Sequence, residues 1–155
     1  MPAPSRSERP IYNPHPYNGP NYQGFVFVLV SSTPGKANHI LTIAQQFNEH
    51  YLPLACITGY WRGDSPQSQK PVEGLITGNG DGIQVSWTTP NGTNVLTGTL
   101  TYKPGSFTNP PIGFIWPHAL LDGEVVAYDA QGNVISGAGP GHVSGTGTRP
   151  WVALP

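Results

Sequence analysis

The chain has 155 residues, a length that fits one domain, with a core able to bury roughly two-thirds of the unfolded surface. Its 20 glycines and 18 prolines exclude a mostly helical protein, because glycine costs about 1 kcal/mol and proline about 3 kcal/mol in a helix interior. Only 10% of residues are charged and the formal net charge is -1, so no basic field is available for nucleic acid or an anionic membrane.

The first segment, residues 1–23, is an extended Pro/Tyr/Asn-rich arm, with proline at 2, 4, 10, 14, 16 and 20. Polyproline-like backbone is expected. A disordered tail and an arm packed on a neighbouring subunit both suit it. The second fits the tyrosines Tyr12, Tyr17 and Tyr22, which are costly to leave in water. Met1–Pro10 has no apolar run of the signal-peptide kind. No stretch approaches the roughly 20 apolar residues of a membrane helix, so a soluble protein is expected, its compartment undefined.

Residues 24–155 read as a single β-rich domain. Phe25–Val30 is the strongest strand signal and is apolar on both faces. Residues 37–51 carry Ile40, Ile43, Ala44, Phe47 and Tyr51 at helical spacing. A short helix ended by Pro53 is the favoured reading there, with a strand at Leu41–Ile43 as the alternative. Strands then follow at regular intervals. They are Leu54–Trp61, Val72–Thr77, Ile83–Trp87, Asn94–Tyr102, Ile112–Trp116 and Gly123–Tyr128, with a return through Val134–Ser136. Gly78–Gly82, Pro90-Asn91-Gly92 and Asp129–Asn133 are turn signals between them. Gly137–Gly147 reads as a glycine-rich loop. The fold class is mainly β, an antiparallel meander barrel or sandwich of about eight strands.

Chemistry is sparse. The lone cysteine, Cys56, allows no internal disulfide, sits in an apolar run and reads as a small hydrophobe. His15, His39, His50, His118 and His142 lack the spacing of a metal motif. No nucleophile elbow is present: Ser144 in Gly141-His-Val-Ser-Gly145 is out of register. Asp122 and Glu124 share a strand face but read as a solvated strand end rather than as paired catalytic carboxylates. No catalytic residue, metal or cofactor is expected, and the chain reads as a binding protein rather than an enzyme.

Aromatic residues offer a binding site instead. Trp61, Trp87 and Trp116 lie in separate predicted strands and could wall a pocket for a small molecule or glycan. Asn94, Thr97 and His118 are the candidate polar contacts. A homo-oligomer is expected from the neutral surface and the arm, and a structural or assembly subunit is the main alternative. A third reading is cell adhesion, because Arg62-Gly63-Asp64-Ser65-Pro66 matches the adhesion sequence of fibronectin-type integrin ligands.

Short segments between residues 54 and 121 also carry a family resemblance. They are Ile57-Thr-Gly-Tyr60, Arg62-Gly-Asp-Ser65, Gln84-Val-Ser-Trp87, Thr93-Asn-Val-Leu-Thr-Gly98, and Trp116 shortly before Leu120-Leu121. Together they resemble the avidin and streptavidin family of biotin-binding barrels. The resemblance implies a meander barrel, with Trp87 and Trp116 in pocket-lining segments and biotin as a ligand. The chain departs from the family's first strand, whose Trp, Asn and Ser have no match in Tyr22–Thr33. Asn94 stands where the family has a pocket Thr, and Pro90 and Gly92 stand where it has Ser. The resemblance therefore implies the architecture more than the ligand.

Overall fold

The computed structural model describes residues 16–48, 52–63, 66–108 and 113–150. Ten strands are formed among them: β1 (Val26–Ser31), β2 (His39–Asn48), β3 (Leu54–Arg62), β4 (Lys70–Thr77), β5 (Gly82–Thr89), β6 (Gly92–Lys103), β7 (Ser106–Thr108), β8 (Gly113–Ile115), β9 (His118–Asp129) and β10 (Gly141–Thr148). Eight of them close into an antiparallel barrel in the order β1-β10-β9-β6-β5-β4-β3-β2. Apart from β1 and β10, each pair of neighbours in that ring is also consecutive in the chain, once the small β7–β8 hairpin inserted between β6 and β9 is set aside. The β1–β10 ladder closes the ring, so the barrel has no open edge.

Alternation decides which side chains fill the interior. Phe27 and Leu29 of β1, Leu41 and Ile43 of β2, Ile57 of β3, Val85 of β5, Leu96 of β6 and Leu121 of β9 are all buried. Among the described residues no charged side chain is buried. Outward positions include the threonines of β6 (Thr97, Thr99 and Thr101) and the exposed Val28 and Val30 of β1.

Residues 39–48 form a strand, not the helix favoured from the spacing. A β-bulge between Ile43 and Gln45 supplies the reason. Before it, Leu41 and Ile43 face inward; after it, Gln46 pairs with the buried Ile57. The inserted residue shifts the period-two alternation by one. Ile40, Ile43, Ala44 and Phe47 therefore imitate a helical repeat while lying on both faces of one strand. Phe47 is on the outside and exposed.

Gly141–Thr148 is likewise a strand where a loop is expected from sequence. Gly147 pairs directly with Phe27, and any Cβ on it would run into the Phe27 ring. Here glycine is what lets a bulky aromatic lie across the neighbouring strand. By contrast, Val134–Ser136 forms no strand and contributes one bridge, Tyr128 to Val134.

The described part of the N-terminal arm packs on its own barrel. Tyr22 is fully buried among Phe25 and Tyr102, with edge-on ring contacts at 5.3 Å and 5.9 Å. Its hydroxyl donates to the Gly80 carbonyl at 2.7 Å, and its N–H donates to Gln46 Oε1 at 2.9 Å. The Tyr17 hydroxyl donates to the Pro20 carbonyl at 2.6 Å. Arg149, just past β10, donates to the Gln23 and Asn21 carbonyls and sets its guanidinium 5.0 Å from the Phe25 ring centre. One end of the barrel is thus plugged, and the predicted boundary at residue 23 runs through the core. Tyr12 lies outside the described residues.

Candidate functional site

The strand directions place His39, Trp61, Trp87 and Asn94 near the end opposite the plug. Trp61 is the last inward residue of β3, and Trp87 follows Ile83 and Val85 on the inward face of β5. Both indoles are about 95% buried, with 5% of their surface exposed. They stack with centroids 4.4 Å apart and planes 20° apart. His39 stacks in turn on Trp61 at 5.1 Å and 21°. The result is three aromatic rings layered across the barrel end.

Asn94 is the cross-strand partner of Trp87 and stands opposite Ala127. It shares the inward parity of the buried Leu96, and it is half-buried. This end therefore joins an aromatic stack to one amide able to donate and accept.

Other predicted contacts lie elsewhere. Trp116 follows β8, is 38% exposed and sits beside the start of β9, at the plugged end. His118 opens β9 there, paired with Lys103 and Thr148, and its Nδ1 donates to the Trp116 carbonyl at 3.1 Å. Thr97 points outward, because its neighbour Leu96 occupies the inward position. The three-tryptophan wall is therefore not assembled: two indoles meet, and the third is at the far end of the barrel.

Sequence reading missed His39. The signal was present, since His39, Leu41 and Ile43 alternate cleanly once residues 39–48 are read as a strand.

The adhesion tripeptide is partly described. Arg62 is half-buried at the end of β3, and the Gly63 N–H donates to Ser68 Oγ at 2.9 Å. Asp64 lies outside the described residues. A Cβ on Gly63 would come within 4.0 Å of His39 Nδ1, so this loop borders the aromatic stack.

Among the described residues no group of three or more histidine, cysteine or carboxylate side chains could hold a metal ion. The candidate acids are exposed: Asp122 meets His142 Nε2 at 2.8 Å on the outer wall, with Glu124 beside it. Ser144 is on the same outer wall as the cross-strand partner of Asp122. Half-buried Cys56 also faces outward, next to Leu75 and Phe47, rather than filling the core. Among the described residues no helix is long and apolar enough to cross a membrane.

These features define a closed eight-stranded up-and-down β-barrel, one end plugged by its own N-terminal segment and the other lined by stacked aromatic rings. In comparisons with protein families, curated proteins and solved structures, the chain matches none.

Proposed function

We propose that the protein is a non-enzymatic binding barrel that takes a small molecule or glycan at its aromatic end. The observation that carries this reading is the His39–Trp61–Trp87 stack beside the half-buried Asn94. Eight-stranded barrels are wide enough to hold one small ligand, and barrel mouths are favoured places for one. A ligand entering there would cap the stack with its flat or apolar face. Each ring contact of that kind is worth about 1 kcal/mol beyond area burial. Asn94 would then fix the orientation through its amide. The Arg62–Gly63 loop borders the same mouth, which supports a covering role for it as readily as an adhesive one. The family resemblance makes biotin the first compound to try, followed by a panel of monosaccharides and oligosaccharides.

Self-association is a second reading, supported by Val28 and Val30 on the outside of β1. They are 50% and 53% exposed, where a solvated wall would carry polar residues. One experiment addresses both. Tryptophan fluorescence is followed during titration, on protein whose mass is fixed by light scattering. A saturable change that weakens at least tenfold in Asn94→Ala supports the mouth site. Silence across the panel, with a mass of several subunits that falls in Val28→Lys, transfers the function to assembly.

A further inference from the structure

The outer wall of the barrel is hollowed over β2–β6, beside the aromatic end, with Trp87 among the lining residues. Two contiguous hollows of about 790 Å³ and 520 Å³ share Thr58, Glu73, Ser86 and Thr93. Their concavity has a local cause. The β2 bulge and Gly59 lie side by side, and a Cβ on Gly59 would collide with the Thr42 carbonyl. Bulges and strand glycines of this kind bend the strands that carry them.

We propose that this hollow is a second, open binding site for a neutral oligosaccharide. Thr58, Glu73 and Ser86 form one outward row, joined by direct cross-strand pairing and ending at Val95. At the usual strand spacing the row runs about 14 Å, room for several sugar rings rather than one. Its hydroxyls both donate and accept, and Glu73 accepts only, which matches the mixed character of sugar hydroxyls. Tyr60 borders the row with 43% of its surface exposed, offering a ring face to the apolar side of a pyranose. No lysine or arginine lines either hollow, so phosphate or nucleic acid would find no counter-charge.

A second copy of the chain is the less suitable occupant. A two-fold contact centred on this wall would bring Glu73 near its own symmetry mate. With no cation in the hollow, two carboxylates would be desolvated without compensation. Neutral hydroxyl groups satisfy Glu73 without that cost.

The test uses the full chain and three probes: cellotetraose, maltotetraose and chitotetraose. Binding is read by ligand-observed saturation-transfer NMR and by calorimetry, with light scattering alongside. At least one probe is expected to bind more tightly than its monosaccharide. Tyr60→Ala and Glu73→Gln should each weaken it at least tenfold, while Tyr60→Phe keeps the ring and keeps binding. Asn94→Ala at the mouth should leave this binding unchanged, which separates failure of the outer site from failure of the mouth site. Circular dichroism of each variant checks that the barrel persists. The proposal is overturned if no probe binds, if Tyr60→Ala and Glu73→Gln bind normally while folded, or if Glu73→Gln converts a monomer into a dimer that no sugar disperses.

Discussion

Tyr22 shows how one side chain can hold a barrel end shut. It fills the space beneath Phe25 and Tyr102 and carries a polar tip that must be satisfied once buried. The Gly80 carbonyl accepts that hydroxyl. Burial also raises the Tyr22 hydroxyl above its ordinary pKa of 10.0, and burial pushes the Tyr17 hydroxyl up to about 12. The folded state therefore favours the neutral phenols. Their contribution is fully present below about pH 10, where the unfolded phenols are also neutral. It is lost as the pH rises from there through the folded-state values. Urea midpoints measured from pH 8 to 12 should fall steeply in the native protein and less steeply in the Tyr17→Phe/Tyr22→Phe double variant. Equal alkaline slopes would remove this account. At neutral pH, Tyr22→Phe alone should cost about 1 kcal/mol, the usual net worth of one hydrogen bond.

At the scale of the element, β10 and β2 depart most from what their residues suggest in isolation. β10 reads as a loop because Gly141, Gly145 and Gly147 have low intrinsic strand preference. Yet Phe27 can lie flat across the barrel interior only if position 147 has no side chain. Gly147→Val should force that ring aside and cost about 2 to 3 kcal/mol, the range of an overpacked core. Thr146→Val, one residue earlier and facing outward, should stay within about 0.5 kcal/mol of the native protein. Chemical denaturation of the two variants makes the comparison, and similar losses in both would show that the Phe27–Gly147 contact is not the cause. β2 teaches the complementary lesson. Its bulge merges two strand alternations into one apparent helical repeat, and no single position announces where the shift occurs.

For the whole molecule, the two barrel ends have different occupants. The plugged end is built from residues 16–25, Tyr102 and the Arg149 clamp. A chain beginning at Gly24 should therefore melt below one beginning at Pro16. Losing Tyr17 and Tyr22 removes burial worth about 3 to 5 kcal/mol for a single large aromatic, or roughly 10 °C at this size. Differential scanning calorimetry of the two chains measures it, and equal midpoints would show the plug to be dispensable. The result also bears on any truncation used to probe assembly, because removing residues 1–23 disturbs the core as well as the arm.

Alternation, turn residues and the glycine and proline content were enough to determine a β-rich meander with its strands near Leu54–Trp61, Ile83–Trp87 and Asn94–Tyr102. They also placed Trp61 and Trp87 in strands, since a period of two is a local property of the chain. Tertiary structure alone decided which of these residues meet. Strand direction carried Trp116 and His118 to the opposite end from Trp61 and Trp87. The parity of β6 turned Thr97 outward, and the pairing of β2 with β3 brought His39, on the regular alternation ahead of the bulge, against Trp61. Closure of the ring sets register across strands distant in the chain, and local pattern carries no information about it.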